Sequence, residues 1–208
     1  MPAYAKYGGG TGVPNDPYLI FDANQMNAIG ANPGDWDKHF KLMADIDLSG
    51  FTGTAFNIIG YRVSSSDNKP FTSVFDGNGH TIANFIYDSN DRNHIGLFGH
   101  VEGENAEIKD LGLLDPNVDA GTGSYVGSLA GRLSAGKITN CYVQGGSISG
   151  NVYVGGLVGR NSYGIITNCY ATSSVSGDRN IGGLVGQNLG SINNCYSTAS
   201  VSGNNNVA

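Results

Sequence analysis

From about Ile82 onward, short alternations of apolar and polar residues return at a nearly fixed interval. Gly96-Leu97-Phe98-Gly99, Gly127-Ser128-Leu129-Ala130-Gly131, Gly155-Gly156-Leu157-Val158-Gly159 and Gly182-Gly183-Leu184-Val185-Gly186 are copies of one glycine-bracketed marker. Each is followed by a second marker: Ile108-Lys109-Asp110-Leu111, Ile138-Thr139-Asn140-Cys141, Ile166-Thr167-Asn168-Cys169 and Ile192-Asn193-Asn194-Cys195. A third segment, Ser147-Ile148-Ser149, Ser174-Val175-Ser176 and Ser200-Val201-Ser202, completes the unit. The end of the second marker advances by 30 residues from Leu111 to Cys141, by 28 to Cys169 and by 26 to Cys195. Period-two alternation is the strand pattern. A unit of this length cannot bury its apolar side alone and must stack on its neighbours. Three short strands and three bends per repeat predict an all-β fold, a parallel β-helix with coils ~4.8 Å apart. The crossover rule makes it right-handed.

Stacking turns equivalent positions into columns. Asn84, Asp110, Asn140, Asn168 and Asn194 share one column, and Asn and Asp tolerate the left-handed backbone of a bend. Their amides can bond coil to coil as a ladder. Phe85, Leu111, Cys141, Cys169 and Cys195 share the next column. A position that accepts Phe, Leu and Cys is a core position, so the cysteines read as small buried thiols rather than a disulfide or a reactive site. Zinc-ligand spacing is missing, and no metal or cofactor is called for. Tyr142, Tyr170 and Tyr196 follow the cysteines directly and should point outward as an aromatic strip. That strip reads either as a candidate sugar or protein contact or as stacking that stabilises parallel strands.

Ahead of the repeats the pattern is different. Residues 1–12 read as a flexible arm ending in Gly8-Gly9-Gly10-Thr11-Gly12, and residues 13–60 as a capping region. Residues 61–208 should form the coils, one continuous domain with the cap. Tyr18-Leu19-Ile20 predicts a strand. Asp22 as N-cap with Gln25 three residues on predicts a short capping helix, with Phe21 and Met26 in the hydrophobic-staple positions. Gly30 and Pro33 should stop it. Phe40 to Leu48 alternates as one strand, and Phe71 to Phe75 as another.

Charge and composition narrow the partners. Charged residues make up 13% of the 208, the net charge is −6, and Gly numbers 33. No basic stripe is available for phosphates, which argues against nucleic acid and against an anionic membrane surface. No apolar run is long enough to span a bilayer. Met1 to Tyr7 lacks the apolar core of a secretory signal, and the Asn/Ser/Gly-rich repeats favour an exported protein.

Catalytic chemistry finds no foothold. His39, His80, His94 and His100 have no partners at metal-ligand spacing and read mostly as exposed or capping residues. Asp45 and Asp47 share a strand face that could chelate calcium, with Asp76 elsewhere, but no third acid recurs in their column. The serine pairs lack the methyl groups on which threonine ice-binding arrays rely. Val207-Ala208 aligns with the start of a coil and no cap follows, so the last coil should present an open edge. Either the natural chain continues, or subunits associate head to tail, with Tyr4 and Tyr7 of the arm clamping the joint near Val207.

These residues resemble the GLUG motif, named for Gly-Leu-any-Gly, of extracellular bacterial and archaeal repeat proteins. Gly12 to Ile20, Asp35 to Leu42, Ala44 to Leu48 and Phe75 to Ile82 are similar to the leader that often precedes such repeats. The resemblance implies a β-helical surface or secreted module, often one segment of a larger protein. The motif also accompanies the catalytic domain of immunoglobulin-A-cleaving metallopeptidases, but the His-Glu-x-x-His zinc motif is absent here. The expectation is a non-enzymatic extracellular module, structural or adhesive. The alternatives are a carbohydrate-binding module using the tyrosine strip and a non-catalytic fragment of a polysaccharide-degrading enzyme.

Overall fold

The computed structural model describes residues 6–208, and Tyr4 lies outside them. Parallel strands stack into five sheets running along one axis, of seven, six, five, four and four strands. Each full coil contributes a strand to every sheet, as in Val152–Gly155, Val158–Asn161, Ile165–Thr167, Tyr170–Ala171 and Ser174–Ser176. The three strands expected per repeat are therefore five. The glycine marker bends between Gly155 and Val158, and the second marker bends at its Asn.

Register follows the columns. Phe40, Phe75, Ile108, Ile138, Ile166 and Ile192 are successive partners in the largest sheet. Ile46, Ile82, Leu113, Val143, Ala171 and Ser197 succeed one another in the second. Side-chain volume falls along both columns as the repeat shortens, so the coil narrows toward its C-terminal end. Interior packing at crystal-like density requires the two to change together.

The bends are built from left-handed residues. Asn84, Asp110, Asn140, Asn168 and Asn194 have φ between 51° and 56°. Their side chains form the expected ladder: Asn140 Nδ2 donates to Asp110 at 2.8 Å, Asn168 to Asn140 at 3.1 Å and Asn194 to Asn168 at 2.6 Å. Glycine is required where coils meet backbone to backbone. A Cβ on Gly159 would sit 2.5 Å from Val126 N and 2.6 Å from the Gly131 carbonyl oxygen.

The cap contains the helix α1 (Ala23–Ala31). Asp22 accepts from Gln25 N and Gln25 Oε1 accepts from Phe21 N, both at 2.8 Å, which is the capping box. Met26 is fully buried, but Phe21 is 45% exposed with its ring against Gly8, so Phe21 serves that segment. Gly30 lies inside the helix, where a Cβ would strike the Asn57 carbonyl; Asn32 and the Pro33–Asp35 turn end it. The single strand expected from Phe40 to Leu48 breaks into Phe40–Leu42 and Ile46–Asp47 as the chain turns a corner between sheets. Phe71 to Phe75 shifts to Val74–Asp76. Tyr61–Arg62 and Asn68–Lys69 form an antiparallel pair within the 61–69 stretch, outside the repeats.

Residues 6–12 are docked. Gly8 N donates to the Leu19 carbonyl and Leu19 N to that of Gly9. Tyr7 is buried with its ring 4.6 Å from Tyr18 and 5.4 Å from Phe40, and its hydroxyl donates to Asp35 at 2.8 Å. Burial and the Asp35 carboxylate raise its pKa. As placed, Tyr7 fills the core of its own chain and is not free to clamp a neighbour.

Candidate functional site

The cysteine column is an interior feature. Cys141 and Cys169 are buried, Cys195 is half-buried in the last coil, and all three are free thiols. Cys141 N donates to Cys169 Sγ at 3.4 Å and Cys169 N to Cys195 Sγ at 3.3 Å. Sulfur thus accepts from backbone N–H groups that face inward just past the bend, a service an aliphatic side chain cannot perform. Burial raises the pKa of Cys141 and of Cys195, which leaves both as thiols at neutral pH.

Tyr142, Tyr170 and Tyr196 stand in register on the outer face of the second sheet. Adjacent ring centroids lie 5.1 and 5.2 Å apart, with planes within 8°. The Tyr142 ring covers Gly112, and Tyr196 is 58% exposed. Each inner ring spends its faces on its neighbours, which leaves ring edges and hydroxyls to solvent. A sugar stacks on a free ring face, and this ladder offers one only at its Tyr196 end. Val207, 44% exposed, pairs with Ile181 in the last coil.

Asp45 and Asp47 hold the following coil. Asp45 Oδ1 accepts from Thr81 N at 2.8 Å and faces His80 Nδ1 at 3.3 Å. Asp47 Oδ1 accepts from Asn84 Nδ2 at 2.8 Å and Ser49 N at 2.9 Å. These bonds lower both carboxyl pKa values, led by Thr81 N for Asp45 and Asn84 for Asp47. Among the described residues, no group of three His, Cys, Asp or Glu side chains is placed to hold a metal ion.

Two histidines differ from the sequence expectation: His100 is fully buried and His94 nearly so. They begin a second ladder. His94, Tyr125 and Tyr153 occupy one column, each with φ near 60° (60°, 64° and 59°). His94 stacks on Tyr125 at 4.5 Å and 4°, and Tyr125 meets Tyr153 at 5.0 Å. Beside it run His100, Arg132, Arg160 and Gln187 in register. The Arg132 guanidinium lies 5.9 Å from the Tyr125 ring and that of Arg160 5.4 Å from Tyr153. His100 Nδ1 lies 2.7 Å from Asn68 Oδ1, and its Nε2 lies 2.7 Å from Ser134 Oγ, which accepts from Arg132 Nε at 2.9 Å. A neutral His100 with its proton on Nδ1 satisfies this network. Burial, followed by the positive charge of Arg132, lowers the His94 pKa to about 4 and the His100 pKa to about 3.

This second ladder escaped sequence reasoning, although its signal was there. Tyr125 and Tyr153, like Arg132 and Arg160, are 28 residues apart and flank the glycine marker on either side. At its N-terminal end a cleft of about 460 Å³ opens between cap and coils, lined by Trp36, Tyr61, Arg62, Arg92, Asn93 and His94 among others.

Comparison with known proteins adds family and fold. A solved structure from Bacteroides ovatus, described as a candidate immunoglobulin A1 protease, superposes with a TM-score of 0.63 at 22% identity. The match covers 96% of this chain and 81% of that one, a likeness of fold alone. A protein of Evansella cellulosilytica, named as a candidate Gly-rich membrane protein, is 39% identical over 186 residues. That alignment takes in 88% of this chain and 21% of the relative. Halomucin of Haloquadratum walsbyi is 34% identical over 178 residues, 85% of this chain and 2% of its own length. The chain thus spans about a fifth or less of these two relatives. Residues 122–149, 150–176 and 177–202 each match the GLUG motif. Those three matches fall on three successive coils of one solenoid, so residues 122–202 are a run of three GLUG-motif repeats.

Proposed function

We propose that this chain is a non-enzymatic module of a larger cell-surface protein, a stiff β-helical segment that stacks end to end with further coils. The observation that carries the reading is the register of the repeats: residues 122–149, 150–176 and 177–202 are three coils of one motif whose strands pair column for column. Each coil covers the apolar strand edge of the one before it, and the strands from Val185–Asn188 to Asn205–Val207 offer the same kind of edge to another coil or another chain. The two relatives support the reading because each holds a stretch similar to this one within a much longer polypeptide, one of them named a membrane protein. No helix among the described residues is long and apolar enough to cross a membrane.

Two measurements test it. Antibody raised against this segment should label intact, unpermeabilised cells of the source organism, and labelling only after permeabilisation would overturn the surface location. Deleting residues 150–176 joins Ser149 to Gly177, which keeps every column in register, so the shortened chain should remain a folded β-helix. Loss of cooperative unfolding in that deletion would overturn modular stacking. Head-to-tail self-association through the same edge should appear as concentration-dependent growth in light scattering and be abolished by Val207→Lys. A strictly monomeric protein at high concentration removes self-assembly.

A further inference from the structure

Four of the five arginines of this acidic chain gather on one face. Arg62 and Arg92 line the cleft beside the cap, and Arg132 and Arg160 follow it one coil apart on neighbouring strands. Besides burial, the charges of Arg160 and then Arg62 disfavour that of Arg132. Among the described residues, no carboxylate lies within 4.0 Å of any of these four guanidiniums, whereas Arg179, elsewhere, pairs with Asp178 at 3.5 Å. Glu102 is the acidic group whose charge reaches Arg132. Buried polar atoms without partners cluster in the same columns: Arg160 Nε, both ring nitrogens of His94 and Gln187 Oε1.

Like charges held in a row without counter-charges, beside unsatisfied polar atoms, are costly unless an anion completes the site. The row is also stiff. The ring ladder flanks the guanidiniums of Arg132 and Arg160, and Ser134, braced by His100, holds the Nε of Arg132. Guanidinium forks repeating at the coil spacing of ~4.8 Å suit a polymer that bears an oxyanion on successive units.

We propose that this arginine–tyrosine face binds an acidic polysaccharide, with carboxylate or sulfate groups on Arg132 and Arg160 and a further one at the Arg62–Arg92 end of the cleft. In the cleft wall Asn57 Nδ2 is bonded to Asn27 and Asn93 Oδ1 to Ser124 N, which leaves Asn57 Oδ1 and Asn93 Nδ2 as partners for sugar hydroxyls. Nucleic acid fits less well, because unpaired bases seek open aromatic faces and both faces of Tyr125 are covered by His94 and Tyr153. The net charge of −6 also opposes a long phosphate backbone outside this face.

Binding of fluorescent polygalacturonate and dextran sulfate to the whole chain tests the proposal, with neutral dextran and single-stranded DNA as comparators. At low ionic strength at least one acidic polysaccharide should bind, weaken as salt is added, and exceed both comparators. The Arg132→Gln/Arg160→Gln double variant should lose at least about tenfold in affinity, while Arg179→Gln keeps wild-type affinity. Circular dichroism and the urea midpoint report folding. If the double variant does not fold, Arg62→Gln, on the hairpin outside the repeats, should lose about threefold or more. The proposal is overturned if neither acidic polysaccharide binds or if DNA binds as tightly. It is equally overturned if the folded variants of the ladder and hairpin bind like wild type.

Discussion

Acidification should unlock the buried histidine pair before it touches most carboxylates. His94 and His100 have folded pKa values of about 4 and about 3, against 6.5 for the unperturbed group. The folded pKa is depressed, so between pH 6.5 and about 4 the unfolded chain binds more protons than the folded one. Stability is therefore complete above pH 6.5 and falls as the pH drops. At pH 5 the unfolded histidine is 1.5 pH units below its pKa while the folded one is still neutral, which corresponds to about 2 kcal/mol per residue at about 1.4 kcal/mol per unit. The pair together should cost about 4 kcal/mol between pH 7 and pH 5, a large part of the stability of a typical domain. The protein supplies its own neutral replacements: Asn180 occupies the His94 column and Gln187 the His100 column. Urea unfolding at pH 7, 6 and 5 on wild type, His94→Asn, His100→Gln and the double variant isolates each contribution. Each single variant should halve the pH slope and the double variant nearly abolish it. A small remainder is expected from His39, whose pKa burial also lowers. A wild-type stability equal at pH 7 and pH 5, or a double variant with the full slope, would refute the argument.

Three further outcomes follow from the coil geometry. Gly159→Ala places a methyl group against three backbone atoms of the preceding coil, at 2.5 to 2.7 Å, and should destabilise by at least about 2 kcal/mol in urea unfolding. Asn168→Ala removes a ladder amide and leaves a residue with a Cβ at φ 56°, and should cost about 1–3 kcal/mol. Asn168→Gly should recover about 1 kcal/mol of that, because only the backbone strain is relieved; equal losses in the two variants would show that the left-handed bend carries no penalty. Under native conditions a thiol reagent should label Cys195 first and Cys141 and Cys169 only through opening of the coils, and three equal rapid rates would contradict their burial.

The sequence by itself determined the solenoid, its columns and its bends. Period-two alternation, a repeat of 26 to 30 residues, and Asn at one fixed place per repeat leave few other ways to bury Ile138, Ile166 and Val175 together. Those features are local: Asn140 at φ 53° and the Asp22–Gln25 box depend on backbone preferences of a few neighbouring residues. The repeat also shortens along the sequence, but that Phe40 and Phe75 head the column ending at Ile192 came only with the strand register. What the tertiary structure decided lies between elements. A glycine-rich start reads as flexible, yet Tyr7 is buried because Tyr18, Phe40 and Asp35, distant in sequence, form a slot for it. Tyr125 and Arg132 carry the same period as the rest, but nothing along the chain says that stacked rings will line a row of arginines. Nor does it say that Arg62, from the antiparallel pair at 61–69, will join them. Backbone propensity and burial act within a repeat and can be read from it. Charge convergence depends on which columns end up adjacent once the coil has closed, and only the closed coil fixes that.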